Sequence, residues 1–374
     1  MFNNYFSSLT FAFVSLFVLS CNSDEEEKSV KEPVVEDQER NDSLSPNTSG
    51  NQSPFDGVSS IELPSDSFPE DTIVLNNKLY ISNWGSGGII TYDLESNSFD
   101  TFASPVTGYD RWWGLEIDEK NDLLFSIQMP TYNFRDAPTS PGRVQCFNAT
   151  TGAVQKTWPV PVEVVFNAMK FDGDKYLYLN EISHGNTLYR IDITLNGAAA
   201  VEEWVKDDVV WPNNNFGHGG MALVDGDVYS SINGQLFKIA VNSDGSAATP
   251  QAVTLTDEAG NPFLGVAEGT PGVRSDGMAS KGRNIYFNYN DAANPEKVGK
   301  AFKIALSSDG LSGTIKTIAS ELDDPSGIIV SGDKVLINES QFGKLVGNAF
   351  DAQAAEQAIV DIGDALVITI IDDE

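Results

Sequence analysis

The chain has 374 residues, only two of them histidine, and a formal net charge of −31. Such an acidic chain lacks the basic patch that nucleic-acid binding needs to neutralise phosphates. Scarce histidine argues against a His-rich zinc centre and for oxygen-ligand metal chemistry. The length admits one large domain or two ordinary ones.

Residues 1–20 carry no charge and are apolar from Leu9 to Leu19, too short a run to span a bilayer and typical of a secretory h-region. Val18-Leu19-Ser20-Cys21 resembles a bacterial lipoprotein signal, which implies cleavage before Cys21 and lipidation of that residue. The acidic run Asp24-Glu25-Glu26-Glu27 behind it resembles the surface-export signal of Bacteroidetes lipoproteins. That resemblance implies an outer-membrane, surface-exposed protein that meets the membrane only through its lipid. An ordinary signal peptide followed by a solvated acidic stretch is the plainer alternative. Residues 21–57 are acidic and poor in large apolar side chains, so they are expected to form a disordered tether. With Cys21 lipidated, only Cys146 remains, and no intrachain disulfide is expected.

From residue 58 to 374 short apolar strands alternate with Gly, Asn, Asp and Ser turns, and only Ala349 to Ala358 reads as a short helix. Six segments share one pattern: a polar or small residue, an apolar strand, a turn, a second apolar strand, then a third. Their starts at Glu70, Trp113, Asn167, Gly219, Asp276 and Ser326 lie 43 to 57 residues apart. That period, with about four strands each, predicts an all-β, six-bladed β-propeller of four-stranded blades. A β-sandwich or a β-helix suits the repeat length poorly. The stretch Ser59-Ser60-Ile61-Glu62-Leu63 precedes the first blade and is expected to pair with the last, closing the ring and hiding two sheet edges.

In such a ring the first strand of every blade lies nearest the axis, so the six starts form one layer around it. Glu70, Asn167 and Asp276 then converge as two carboxylates and an amide, a set suited to Ca²⁺ before other divalent cations. Turn capping by the same Asp and Asn residues is the structural alternative. Asn180 and Asn288, near the ends of second strands, are further candidates for lining the channel and binding a polar ligand.

Phe68-Pro69-Glu70, Phe166-Asn167-Ala168-Met169-Lys170 and Ser275-Asp276-Gly277-Met278 resemble the blade-start motifs of the gluconolactonase, senescence-marker-protein and luciferin-regenerating-enzyme superfamily. The resemblance implies metal binding by Glu70 and Asp276, metal or substrate contact by Asn167, and a catalytic-base role for Asp276. The fourth blade departs: Gly219 stands where the family has a metal-binding Asn, and His218 sits one residue before it as a substitute ligand or proton shuttle. The implied activity is Ca²⁺-dependent hydrolysis of a sugar lactone or related cyclic ester, with Asp276 or His218 taking the proton and Arg111 and Trp113 walling the sugar. The alternative is a non-catalytic module capturing a small polar ligand or a protein partner at the cell surface. A monomer is expected in either case.

Overall fold

The computed structural model describes residues 54–373 except 65–66, 85–86, 131–139, 163, 183–186, 208–217, 233, 268–269, 291–297 and 342–366. The expected signal peptide, Cys21, most of the tether and the expected helix from Ala349 to Ala358 lie outside the described residues. What is described is almost entirely strand, arranged as six antiparallel blades.

Blade one is Pro69–Leu75, Lys78–Asn83, Ile89–Asp93 and Ser98–Ala103. Blade two is Arg111–Asp118, Leu123–Met129, Arg143–Asn148 and Val154–Pro159. Blade three is Phe166–Phe171, Tyr176–Glu181, Thr187–Asp192 and Val201–Lys206. Blade four is His218–Val224, Asp227–Ile232, Gln235–Ile239 and Gln251–Ala252. Blade five is Met278–Lys281, Asn284–Tyr289, Gly299–Leu306 and Ser312–Leu322. It carries a fifth strand, Thr254–Thr256, laid parallel on its outer edge by the connection from blade four.

Blade six is Pro325–Ser331, Lys334–Glu339 and Val367–Asp372, completed by Ser60–Glu62 from the other end of the ring. Ile61 pairs with Ile368, flanked by Ser60 with Thr369 and Glu62 with Val367. The expected closure is therefore found, and no circular gap is left between first and last blades.

The burial pattern follows from stacking. A second strand is covered on both faces by neighbouring blades, so it reads as a continuous apolar run: Leu79 and Ile81 in blade one, Leu124, Phe125 and Ile127 in blade two, all fully buried. An outer strand lies at the rim and is mostly open to solvent on its polar residues, as at Ser98, Asp100 and Thr101 of Ser98–Ala103. Large aromatics fill the wedges between blades, where the spacing widens away from the axis; Trp84, Trp112, Trp158, Tyr178 and Phe166 are all nearly inaccessible. Cys146 is a free, buried thiol within this packing, and burial pushes its pKa up to about 11.

Four of the wedges are also fastened at the turn joining the next blade's third and outer strands. Tyr80 Oη donates to Ala149 O at 3.0 Å, Trp158 Nε1 to Leu195 O at 3.1 Å, Trp204 Nε1 to Gly245 O at 2.9 Å, and Tyr229 Oη to Gly310 O at 3.2 Å. Blade six cannot offer such a turn, because its third and outer strands come from opposite ends of the chain. There the Asp373 carboxylate serves as the acceptor, taking Tyr286 Oη at 2.7 Å, Lys281 Nζ at 2.7 Å and Lys303 Nζ at 2.6 Å. Burial works against its charge, but these three donors outweigh burial and lower its pKa to about 2. Its stabilising effect is thus full above the ordinary carboxylate value of about 4 and fades as pH falls toward about 2. Asp373→Asn is expected to cost about 1–2 kcal/mol at neutral pH, after allowing for solvent screening at the ring's edge. Denaturant titrations should show that gap narrowing below about pH 4.

Candidate functional site

The six start residues are set by a repeated backbone irregularity. The pairing of inner with second strand slips between Pro69 and Thr72, Trp112 and Leu115, Phe166 and Met169, His218 and Met221, and Pro325 and Ile328. In blade five the same place is bridged by Asp276 N to Asn288 O at 3.2 Å and Asn288 N to Gly277 O at 3.3 Å. A bulge of this kind places two residues opposite one and re-aims their side chains. The first residue of each pair is Glu70, Trp113, Asn167, Gly219, Asp276 or Ser326.

The second residue packs against the bulge of the next blade, and there is almost no room for it. A Cβ on Gly114 would lie 2.8 Å from Asn167 O, on Gly220 2.6 Å from Met278 N, on Gly277 2.5 Å from Ser326 O, and on Gly327 2.8 Å from Glu70 O. Glycine is required at these places for close approach. Blade one alone has a charged residue here, Asp71, whose Oδ2 reaches across to accept Leu115 N at 2.9 Å.

In four of the blades a nearby side chain takes the backbone N–H that the bulge leaves without a ladder partner. Asp71 N donates to Ser82 Oγ at 3.0 Å, Ala168 N to Asn180 Oδ1 at 2.6 Å, Gly220 N to Ser275 Oγ at 2.9 Å, and Gly277 N to Asn288 Oδ1 at 2.8 Å. The same amides reach on to the next blade: Asn180 Nδ2 to Gly219 O, and Asn288 Nδ2 to Ser326 O at 2.9 Å and Gly327 O at 3.1 Å. Asn180 and Asn288 are fully buried, with both ends of each amide engaged by backbone. The structure gives them a bracing position behind the layer rather than a ligand-facing one.

Glu70, Asn167, Asp276 and Ser326 line one cavity on the axis, which also reaches Asp71 and Lys170. Its volume of about 20 Å³, counted over water centres, holds roughly one water or one bare ion. Asn167 Nδ2 approaches Asp276 Oδ1 at 3.5 Å. Asn290 Nδ2 donates to Asp276 Oδ2 at 2.5 Å and to Pro325 O at 3.1 Å. Glu70 and Asn167 are only 6% and 7% exposed, and Glu70 Oε2 and Asn167 Oδ1 have no hydrogen-bond partner among the described residues.

The electrostatics match that geometry. Burial, then Asp276 and Asp71, drive the Glu70 carboxyl well above its ordinary pKa. Burial raises Asp276 to about 6 against the hydrogen bonds from Asn167 and Asn290, with Asp71 and Asp324 adding to the rise. Unpartnered, hard oxygen donors beside crowded carboxylates fit a divalent cation such as Ca²⁺. Among the described residues no three His, Cys, Asp or Glu side chains cluster closely enough to hold a metal by themselves. A cation held there would draw its third donor from the Asn167 amide oxygen.

The other expected residues lie elsewhere. Arg111 and Trp113 are 3% and 4% exposed, inside the joint between blades one and two. The Arg111 guanidinium stacks over Trp84 at 4.1 Å and Trp113 meets Trp84 edge-on at 6.5 Å, so neither presents a free wall to a sugar. His218 opens the inner strand of blade four, its backbone paired with Ile232, while its side chain lies outside what is described. Beside it, a Cβ on Gly219 would collide with Ser275 O, so packing excludes the side chain that the resemblance asks for. Asp71, Lys170, Ser275 and Asn290 were not singled out as site residues. Asp71 had a signal, since it fills the column in which four other blades carry glycine.

No protein-family model and no curated protein matches the sequence. Solved structures do match in fold. The major allergen Mala s 1 of Malassezia sympodialis aligns with TM-score 0.59 and 14% identity over 84% of this chain and 96% of that one. A luciferin-regenerating enzyme aligns with TM-score 0.54 and 11% identity over 83% and 94%. The PQQ-bound aldose sugar dehydrogenase of Streptomyces coelicolor aligns with TM-score 0.50 and 12% identity over 83% and 97%. The expected luciferin-regenerating-enzyme-like propeller is the fold found; identities this low speak to fold alone.

If Asn288 braces the bulge, Asn288→Ala leaves Gly277 N–H and two carbonyls unpaired and costs about 1–3 kcal/mol. Denaturant unfolding should register that loss, and a variant as stable as wild type would contradict the bracing role.

Proposed function

We propose that Glu70, Asn167 and Asp276 form an axial divalent-cation site, with Ca²⁺ preferred, and that the protein uses it to hydrolyse a sugar lactone or related cyclic ester. One observation carries the reading: Glu70 Oε2 and Asn167 Oδ1 are buried beside the same small cavity with no hydrogen-bond partner among the described residues. Leaving such groups unpaired costs about 1–3 kcal/mol each, and one bound cation would satisfy both. A bound Ca²⁺ would polarise an ester carbonyl and make water more acidic.

The chain's own residues supply the rest. Asp276, whose carboxyl burial pushes up to about 6, lines the cavity where attacking water would stand and is the first candidate to take its proton. Asn290 and Asn167 hold its two oxygens and fix its direction. His218, at the start of the fourth inner strand, is the second candidate for the proton.

A second reading is a non-catalytic surface module that captures a small polar ligand or a protein partner. Gly219 favours it, because the layer is one donor short of the resembled family and Ser275 fills the space. In both readings the ring is a monomer tethered through lipidated Cys21 and displayed on the outer membrane. Lipid labelling of the expressed protein should disappear in Cys21→Ser.

Calorimetry with Ca²⁺ tests the shared premise. Wild type is expected to bind one Ca²⁺, and Glu70→Gln to weaken binding at least tenfold, about 1.4 kcal/mol. No heat with wild type sinks the cation site. Acid release from a panel of sugar lactones then divides the readings: turnover lost in Asp276→Asn supports the hydrolase, and binding without turnover supports the capture module.

A further inference from the structure

The axial cavity holds one basic residue among its lining side chains, Lys170, three positions beyond Asn167 on the same inner strand. Its Nζ lies 3.1 Å from Glu116 Oε2, and both side chains are largely covered, at 21% and 15% exposure. Asp71 lines the same cavity, its oxygens already taking Leu115 N at 2.9 Å and Thr72 N at 2.8 Å. Burial works against the ammonium's charge, yet Glu116 and Asp71 together hold its pKa above the ordinary lysine value. The cavity is therefore divided in charge. On one side Asp71 and Glu116 share an ammonium. On the other, Glu70 Oε2 has no partner among the described residues, and the described partners of Asp276 are amide N–H groups.

We infer that Lys170 is the hub's built-in cation: its ammonium occupies the Asp71 and Glu116 side of the axial cavity and leaves room for a single divalent ion on the Glu70 side. The inference rests on the proposed cation site for the ion beside Glu70, but the other side is argued from Lys170, Glu116 and Asp71 alone. An ammonium donates to about three oxygens, whereas Ca²⁺ carries twice the charge and takes 6–8 oxygens at about 2.3–2.6 Å, water completing the shell. Removing the ammonium leaves the Glu116 and Asp71 carboxylates near each other without a counterion, a charge that a divalent cation would balance.

Ca²⁺ calorimetry on the full-length protein provides the test. Lys170→Met is expected to take up one more Ca²⁺ per chain than wild type. Lys170→Arg should keep the wild-type number, and the added site should vanish in Lys170→Met with Glu116→Gln. Wild type binding none and Lys170→Met binding one would support the inference while removing the site beside Glu70. Equal numbers in wild type and Lys170→Met would overturn it while leaving the site beside Glu70 standing. Should Lys170→Met fold only when Ca²⁺ is supplied, the inference is supported. Should it stay unfolded with and without Ca²⁺ while the double variant folds, Lys170 is a partner of Glu116 only and the inference fails.

Discussion

The structure depends on how closely six inner strands approach one axis. At each bulge the second residue touches the backbone of the next blade, and at Gly114, Gly220, Gly277 and Gly327 a single added carbon would collide with it. That contact forces the first residue of each pair onto the axis. Tight closure at the hub is thus the same fact as the gathering of Glu70, Asn167, Asp276 and Ser326 around one small cavity. The aromatic wedges farther out fill the space that opens as the blades diverge.

Gathering carboxylates in a covered space has an electrostatic consequence. Burial raises the pKa of both Glu70 and Asp276; Asp276 and Asp71 push Glu70 up further, and Asp71 and Asp324 add to the rise at Asp276. The protein resolves part of this internally, with Lys170 for Glu116 and Asp71 and amide N–H groups for Asp276. The unresolved part is the orphaned pair of oxygens on Glu70 and Asn167. An acidic chain of net charge −31 would also draw cations toward the ring before any specific contact forms.

The fold was legible because a propeller writes its period into the chain. Six apolar triplets of strands, all but the second opened by a small or polar residue, could hardly be read otherwise, and the strand at Ile61 had no partner except the last blade. The axial layer was legible for the same reason: equivalent repeat positions must be equivalent in space. What the sequence hides is direction. Asn180 and Asn288 look like channel residues, but the bulge turns their amides onto backbone. Arg111 and Trp113 look like a sugar wall, but Trp84, distant in sequence, takes up the guanidinium and the indole edge. The parallel strand Thr254–Thr256 on blade five has no signal at all in the repeat, since it belongs to a connection.

Diffraction from crystals soaked in Mn²⁺, whose anomalous signal marks an ion directly, bears most closely on all of this. The account predicts one strong peak on the axis, bonded to Glu70 Oε2 and Asn167 Oδ1 and beside Asp276. A bare axis at millimolar Mn²⁺, with Glu70 turned away or hydrogen-bonded to protein, would contradict it.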